Sequence, residues 1–498
     1  MERPEDPQQV FGAFVFKPTH DEIALGDPCH PRSPPVGSRA VSVWRRQRVE
    51  GWGRYPSVLT ECTRPERWSD VESALQDRAS GSLLAHGLGR SYGDAAVLSE
   101  GRVVLTERLD RLLDFDPTTG WLRCEGGVSF AEIIRLFVPR GFFPPVVPGT
   151  QFVTMGGALA SDIHGKNHHV AGSFSDHVRR VDLLCGDGRI VRCDAETEPA
   201  LFEATAGGMG LTGIVLALDV RLAPIANPFI ELETVRVENM EHFFEVSEGS
   251  TDWPYTVTWI DCVATGAAMG RGVLMRGRHA AAGAAPGGLW GERLKEWLAP
   301  VLDAGLLEPD WLLNSATIRA FNEVYFRKCP AGVTRSVVHY EPFFFPLDSV
   351  RHWNRLYGRR GMLQHQCVLP PDPDRAALRT ILELITRSGF ASFLAVIKEF
   401  GAQFHGGLSF PRPGVTLALD FPNYGEPLLE LLSRVDEVVA NAGGRVYLSK
   451  DARLSPEHFR RMYPEAADWK ATRDAWDPGG VFASDLGRRL GLVGGASL

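Results

Sequence analysis

Three stretches dense in glycine and small polar residues constrain this chain more than any other feature of its sequence. They span residues 87–94 (GLGRSYGD), 148–169 (PGTQFVTMGGALASDIHGKNHH) and 207–213 (GGMGLTG). Glycine lets a backbone approach a ligand closely and tolerates positive φ, and consecutive N–H groups in such turns bind phosphate oxygens. One stretch alone is more simply a tight turn, but the three together predict a site for a large phosphate-bearing cofactor.

The standard phosphate-binding motifs do not fit these stretches. The glycines of residues 208–213 match the spacing of the dinucleotide fingerprint, but they precede a predicted strand instead of joining a strand to a helix. The segment 157–166 lacks the P-loop spacing, and Asn167 stands where that motif requires Ser or Thr. The cofactor site is therefore neither of these two common kinds.

Length, charge and cysteine usage limit the class of protein. With 498 residues the chain exceeds one compact core, so we expect two or more lobes. A net charge of −8, with no Lys/Arg-rich block, makes nucleic acid an unexpected partner. The eight cysteines form no CxxC pair, no apolar run could span a bilayer, and no secretory signal pattern follows Met1. We therefore expect reduced thiols and a cytoplasmic protein.

Composition and periodicity divide the chain into four segments. We expect a mobile N-terminal tail over residues 1–47, a first lobe over 48–225, a second lobe over 226–445 and a C-terminal segment over 446–498. Strands and helices mix without regular βαβ alternation, so the predicted fold class is α+β. The Ala/Gly/Pro-rich stretch 279–288 predicts a flexible insertion.

Local signals predict individual elements. Ser129 with Glu132 three residues later is a capping-box pattern, which predicts a helix beginning there. Residues 181–192 alternate around Gly-Asp-Gly, which is typical of a hairpin. Apolar residues at helical spacing predict a helix over 427–441.

A set of motifs in fixed order then identifies a family. They are GWGR at 51–54, GLGRSYGD at 87–94, DIHGKNHH at 162–169, GLTG at 210–213, LQHQ at 363–366 and VFASD at 481–485. This set closely resembles the FAD-binding segments of the decaprenylphosphoryl-ribose oxidase family, within the vanillyl-alcohol-oxidase-like (FAD-binding PCMH-type) flavoproteins. The resemblance covers about residues 50–490.

The resemblance implies a two-lobed fold with a split FAD-binding lobe. Residues 446–498 would return to complete the lobe formed by 48–225, and 226–445 would build a substrate lobe on an antiparallel sheet. Some flavoproteins of this superfamily attach FAD through a histidine of the first loop, where this chain has Arg90, so we expect non-covalent FAD. The residues implied to bind FAD are Gly87, Leu88, Gly89, Arg90, Ser91, Tyr92, Gly149, Thr154, Gly156, Gly157, His164, Gly165, Asn167, His168, Ser173, Ile214 and Tyr447.

The resemblance, taken with the chemistry of alcohol oxidation, implies three candidate catalytic residues, Lys450, Gln366 and His164. Moving a hydride from carbon to flavin N5 leaves negative charge near N1 and the C2 carbonyl, which a fixed cation stabilises. Lys450 matches the family's flavin-facing lysine, although a lysine after a strand is often on the surface. Gln366 would orient the flavin or the sugar hydroxyls. His164 has no carboxylate or cysteine at metal-ligand spacing, so we expect it to contact FAD and predict no metal site.

The substrate pocket matches the family less closely. Lys398 interrupts an apolar strand, which suits a cavity for a substrate phosphate, although the side chain could equally reach solvent. A cysteine characteristic of the mycobacterial enzymes is Ala418 here, a pocket asparagine is Thr416, and an active-site tyrosine is Phe344. The predicted substrate-binding residues are Tyr92, Lys166, Trp259, Phe344, Gln364, Gln366, Lys398, Thr416, Ala418 and Lys450.

Three functions remain open at this stage. The first is oxidation of decaprenylphosphoryl-β-D-ribose at C2′ for arabinan precursor synthesis, with a separate NADH-dependent reductase as partner that completes an epimerisation. The second is oxidation of another sugar or polyol conjugate, and the third is a flavin-carrying subunit without its own substrate. A lipid-linked substrate would require peripheral contact with the inner face of a membrane, for which segments 279–290 and 328–336 are candidates.

Overall fold

The computed structural model describes residues 42–78, 81–284, 314–392, 394–402 and 407–494. Most of the predicted tail and residues 285–288 of the predicted insertion lie outside these ranges. The first strand begins at Arg45, inside the predicted tail, because residues 45–50 pair antiparallel with residues 57–62. The polar composition of the segment does not reveal this pairing.

Two sheets form the first lobe, in the strand orders β1-β2-β4-β3 and β5-β6-β10-β8-β9, and β7 pairs with β11. The strands are β1 Arg45–Glu50, β2 Ser57–Thr63, β3 Leu83–His86, β4 Arg102–Leu105, β5 Leu112–Phe115, β6 Trp121–Glu125, β7 Phe142–Phe143, β8 Val178–Leu184, β9 Ile190–Asp194, β10 Ile214–Arg221 and β11 Ala223–Pro224. The helices are α1 Trp68–Gln76, α2 Phe130–Phe137, α3 Met155–Ala160, α4 His168–Ala171 and α5 Pro199–Thr205.

The local predictions in this lobe are confirmed. Ser129 accepts a hydrogen bond from the Glu132 N–H, and the Glu132 carboxylate accepts one from the Ser129 N–H at 2.8 Å, so helix α2 begins with a full capping box. Strands β8 and β9 form the predicted hairpin, with Leu184 opposite Ile190. These elements form as predicted because their signals act within a few residues.

An eight-stranded antiparallel sheet forms the second lobe, in the order β15-β12-β14-β13-β17-β18-β16-β19. Its strands are β12 Phe229–Val237, β13 Tyr255–Ile260, β14 Gly272–His279, β15 Val333–His339, β16 Met362–Leu369, β17 Ala395–Phe400, β18 Gly414–Pro422 and β19 Arg445–Val446. The described helices of this lobe are α6 Met240–Glu248, α7 Ser315–Lys328, α8 Tyr340–Phe344, α9 Ala376–Ser388 and α10 Glu426–Asn441. This arrangement, together with the mixed first lobe, confirms the α+β, two-lobed fold class.

Register gives the two faces of this sheet different chemistry. Gln364 lies opposite Asp420, Gln366 opposite Ala418, and Lys398 opposite Thr416. Since side chains alternate along a strand, these residues share one face. The other face carries Cys367, Leu417 and Leu419, which are buried in the same core cluster as the apolar residues of α9 and α10. One face is therefore core, and the other is available for a site.

The C-terminal segment returns to the first lobe through helices α11 Pro456–Met462, α12 Ala466–Trp476 and α13 Asp485–Arg489. Leu83 of β3 pairs with Phe482, and the Tyr92 N–H donates to the Ser449 carbonyl at 2.8 Å. A Cβ on Gly93 would lie 1.7 Å from the Asp451 carbonyl oxygen. The first glycine-rich loop and the residues around Lys450 are thus in direct backbone contact.

Replacement of Gly93 by alanine tests this closure. A Cβ cannot occupy that space without moving the Asp451 backbone, so we expect Gly93→Ala to lower the free energy of unfolding by more than about 2 kcal/mol. Gly249→Ala is the control, because its φ is −77° and its nearest atoms would be 3.6 Å from the new Cβ. We expect the control to change stability by less than about 0.5 kcal/mol in urea unfolding. Equal losses in both variants would contradict the packing.

Candidate active site

A cavity of about 580 Å³ lies between the two lobes. All three glycine-rich stretches line one side of it, and the polar face of the second-lobe sheet lines the other. Tyr447, Ser449 and Lys450 of the C-terminal segment complete the wall. Residues from four distant parts of the chain therefore meet around one space.

The glycine-rich stretches form a concave wall of bare backbone, and side chains at these positions would clash or take up its space. A Cβ on Gly87 would lie 2.5 Å from the Thr154 hydroxyl oxygen, and Gly89 has a φ of +62°. A Cβ on Gly149 or Gly210 would meet no atom within 4 Å, so these two backbones face open space. Thr154 begins helix α3 and accepts a hydrogen bond from the Gly157 N–H at 3.2 Å. This bare, turn-rich wall has the backbone access that a dinucleotide cofactor such as FAD requires.

Arg90 is held by aromatic rings at the position where the superfamily's covalent histidine would stand. Its guanidinium lies 3.9 Å from the Trp52 ring centroid and 5.4 Å from that of Phe152, and it donates to the Phe152 carbonyl at 3.1 Å. Arginine at this position cannot form the histidyl–flavin bond. The loop is fixed instead by cation–π contacts.

His164 leaves one nitrogen for a ligand. Its Nε2 lies 3.0 Å from the Gln366 amide nitrogen, which also donates to the Thr416 hydroxyl at 3.2 Å. Burial, aided by Lys398 and other neighbouring cations, holds the pKa of His164 well below its usual value, so the ring is neutral. If Nε2 accepts from Gln366, the proton lies on Nδ1, which is buried and has no partner among the described residues. A buried, unpaired donor in the cavity wall fits a site that binds a polar cofactor.

Three lysines point into the same cavity. Burial lowers the pKa of Lys166 to about 8, and burial together with Lys166 and Lys450 lowers that of Lys398 to about 7. Both side chains are partly buried and line the cavity. The Lys166 ammonium donates to the Phe344 carbonyl at 3.2 Å and that of Lys398 to the Gly165 carbonyl at 3.4 Å.

The ammonium of Lys450 sits on an aromatic face. Its Nζ lies 3.7 Å from the centroid of the Tyr92 ring. Burial lowers the pKa of Lys450, and the charge of Asp420 opposes that shift. The first glycine-rich loop therefore supplies both part of the cradle and the ring that supports Lys450.

The structure brings most of the predicted site residues together. The lining includes the predicted residues of 87–92, Gly149, Thr154, Gly156, Gly157, His164, Gly165, Lys166, Ile214, Trp259, Gln364, Gln366, Lys398, Thr416, Ala418, Tyr447 and Lys450. They are placed by the glycine-rich stretches and by alternate residues that share one face of the second-lobe sheet.

Four predicted residues do not line the cavity with their side chains. The Asn167 amide donates to the Pro145 carbonyl at 2.8 Å, and the His168 ring accepts from the Gly401 N–H at 3.2 Å. Ser173 begins a short turn closed by Asp176, and Phe344 is buried against Phe143 and Tyr255. In the structure these three polar side chains bond within the protein near His164, and Phe344 contributes its carbonyl to Lys166. Their direct contact with FAD or substrate stays a prediction.

Sequence reasoning missed Trp52 and Asp420. Asp420 is completely buried and accepts a hydrogen bond from the Gln364 amide. The period-2 pattern of the strand offered a signal, because Thr416, Ala418 and Asp420 fall on one face. Trp52 lies in the GWGR motif, but only the folded loop shows that Arg90 stacks on it.

Comparison with known proteins decides the family. Residues 62–194 match the model of an FAD binding domain, and residues 421–490 match that of D-arabinono-1,4-lactone oxidase. Decaprenylphosphoryl-β-D-ribose oxidase of Mycolicibacterium smegmatis is 36% identical over 454 residues, which is 90% of this chain and 98% of that protein. The chain belongs to this oxidase family. The family assignment made from the motifs is thus confirmed, and the chain is an FAD-dependent oxidoreductase.

Other relatives cover less of this chain. An uncharacterised Streptomyces coelicolor protein is 35% identical over 73% of this chain and 100% of its own length. D-lactate dehydrogenase of Anaerostipes hadrus is 23% identical over 37% of this chain and 40% of its own length.

In the part of the chain that the structure describes, no helix combines the length and the apolarity needed to cross a membrane.

Because its lysines are buried, we expect this site to lower the free energy of unfolding of the apoprotein. Below pH 7 the folded protein buries a charged Lys398, whereas above the unfolded value of 10.5 both states are neutral and that cost is absent. We therefore expect Lys398→Met to stabilise the apoprotein by at least about 1 kcal/mol below pH 7. The gain should shrink as pH rises from 7 towards 10.5.

Thermal unfolding of the apoprotein across this pH range measures the effect. Lys470→Met is the matched control, because Lys470 pairs with Asp474 on helix α12 and does not line the cavity. We expect no pH-dependent gain from the control. A destabilised Lys398→Met at low pH would show that the Lys398 ammonium is well solvated.

Proposed function

We propose that this enzyme oxidises a secondary hydroxyl of a sugar carried on a lipid phosphate, namely C2′ of decaprenylphosphoryl-β-D-ribose, with FAD bound non-covalently. One observation carries the proposal: three lysine ammonium groups face a cavity that, among the described residues, no carboxylate lines. A phosphate-linked, sugar-bearing lipid has complementary groups for each of these surfaces. The relative from M. smegmatis, whose name gives this substrate, supports the same assignment.

The lysines support an anionic substrate. The described hydrogen bonds of Lys166 and Lys398 go to backbone carbonyls, so neither ammonium is neutralised by them. A buried cation without a counter-ion is costly, and a phosphate diester would remove that cost. The phosphate would then lie near these two side chains.

The apolar part of the cavity supports a lipid chain. Phe321 and Tyr325 of helix α7 line it together with Phe343 and Leu347. The Phe321 and Tyr325 rings are stacked with centroids 5.8 Å apart, and Phe321 remains 41% exposed. A hydrocarbon chain can cover such an apolar wall, whereas a small soluble sugar would leave the wall exposed to water.

The sheet face supports recognition of sugar hydroxyls. Gln364 and Gln366 present amides, and Thr416 presents a hydroxyl, all from paired strands. When bound, FAD supplies the acceptor for the two electrons and the hydride of alcohol oxidation. Lys450 contributes a fixed positive charge at this end of the cavity, where it stabilises negative charge that develops during oxidation.

The proposal has consequences for partners and location. Oxidation leaves a keto sugar, so epimerisation requires a separate NADH-dependent reductase as the partner. A lipid-linked substrate also requires the protein to work in the cytoplasm at the inner membrane face. Thr416 and Ala418 differ from the family pattern and favour one alternative, an oxidase of another sugar or polyol conjugate.

Anaerobic mixing of the FAD-loaded enzyme with candidate substrates tests the function. We expect the flavin absorbance to bleach with the lipid-phosphate-linked ribose and not with free ribose or unphosphorylated polyols. Lys450→Met should slow bleaching by about 10²–10³-fold while FAD stays bound, because it removes a charge that acts mainly in the transition state. Lys470→Met serves as the control and should bleach at the wild-type rate. Bleaching by a soluble sugar alone would select the alternative substrate class.

A further inference from the structure

The outer face of helix α7 carries apolar side chains although it is turned to solvent. The buried residues of this helix are Ile318, Asn322 and Phe326. The exposed residues that follow one another at helical spacing on the other side are Thr317, Ala320, Phe321, Val324 and Lys328. A surface helix ordinarily turns its polar residues outward, so an outward apolar stripe indicates a contact surface.

Polar contacts on the inner side hold α7 in this orientation. The Asn322 amide donates to the Asp261 carboxylate at 2.7 Å, and both groups are buried. Arg271 donates to Asp261 and to Glu323, each at 2.7 Å. Rotation of the helix to bury Val324 would break these bonds and leave a buried carboxylate without partners, which is costly. The apolar stripe therefore stays outward.

Basic side chains surround the stripe. Residues 315–336 contain four basic residues and one acid, whereas the whole chain has a net charge of −8. That acid, Glu323, is paired with Arg327. Arg319 and Lys328 form no ion pair with any residue that the structure describes. An apolar stripe flanked by unpaired cations is complementary to the surface of an anionic bilayer.

The stripe is continuous with the apolar part of the cavity. Trp259 is buried, and its ring lies 4.7 Å from that of Tyr325 in an edge-on contact. The Tyr325 ring in turn stacks on that of Phe321 at 5.8 Å, and Phe321 is 41% exposed. All three rings line the cavity. A row of aromatic side chains thus leads from the interior of the cavity to the outer face of α7.

We propose that the outer face of α7 docks on an anionic lipid bilayer, so that the cavity opens onto the membrane. The chain of a lipid-linked substrate would then pass along the aromatic row without crossing water. Arg319 and Lys328 contact the lipid phosphates, and Phe321 and Val324 contact hydrocarbon below the headgroups. The inference rests on the proposed function for its substrate, but the docking itself requires no substrate.

Sedimentation of the FAD-loaded enzyme with vesicles tests the surface. We expect the enzyme to bind mixed vesicles of phosphatidylcholine and phosphatidylglycerol at least about tenfold more tightly than vesicles of phosphatidylcholine alone. Val324→Glu places a charge in the stripe and should weaken binding to the mixed vesicles by about tenfold or more. Lys328→Gln removes one surface cation and should weaken it by about fivefold. If Val324→Glu does not fold, Lys328→Gln decides the question.

Two matched variants control for the substitutions. Val43→Glu introduces the same charge at a valine of the first lobe that is 66% exposed, against 68% for Val324. Lys470→Gln removes the same charge from helix α12. Both controls should bind as the wild type does. Wild-type binding by Lys328→Gln and by folded Val324→Glu, or equal binding to the two kinds of vesicle, would overturn the proposal. So would a wild-type dimer in solution that Val324→Glu dissociates, because a second copy of this chain would then cover the face.

Flavin bleaching separates this surface from the proposed substrate site. Val324 does not line the cavity, so Val324→Glu should bleach at the wild-type rate when the lipid-linked ribose is dissolved in detergent. With the same substrate in mixed vesicles, it should bleach more slowly, by the factor that binding loses. Equal slowing in detergent and in vesicles would overturn the docking role. Vesicle binding without bleaching by any lipid-linked ribose would contradict the proposed function and leave the docking surface in place.

Discussion

Backbone packing between residues 91–93 and 449–452 sets the geometry of this enzyme. The Tyr92 N–H bonds to the Ser449 carbonyl, and Gly93 presses against the Asp451 carbonyl with no room for a side chain. Arg489 adds ion pairs to Asp94 and Asp451 at 2.8 Å, which close the same junction from the C-terminal helix. This contact places the Lys450 ammonium on the Tyr92 ring, so the first glycine-rich loop also fixes the position of this cation in the cavity wall.

The positive charge of the cavity comes from three lysines, which meet where this junction faces the second-lobe sheet. Lys166, Lys398 and Lys450 converge on a cavity that no carboxylate of the described residues lines, and burial lowers the pKa of each of the three ammonium groups. Such a site costs folding stability and gains affinity for an anionic ligand.

Patterns among residues close in sequence were enough to predict several elements of the fold. The capping box at Ser129 and the hairpin of β8 and β9 depend on neighbours within a few residues. The glycine-rich stretches and Lys450 were identified because a motif set in fixed order constrains the site more than any single stretch. The first strand escaped prediction because its composition is polar.

Sequence and structure differ most where side-chain direction or strand register decides which residues meet. Asn167 and His168 belong to a cofactor-binding motif, but each side chain is held by a backbone group away from the cavity. Asp420 was missed because its meaning depends on Gln364 lying opposite it, which requires the register of β16 and β18. The alternation of Thr416, Ala418 and Asp420 predicts that these three side chains share one face of the strand. It does not predict which residue of the neighbouring strand lies opposite Asp420.

The central claim is that the glycine-rich wall binds FAD without a covalent bond. The most direct measurement is the visible spectrum of the purified protein after incubation with FAD and removal of excess, followed by acid precipitation. The account predicts about one flavin per chain, released entirely into the supernatant as FAD. A protein that stays colourless, or a flavin that remains in the precipitate, would contradict it.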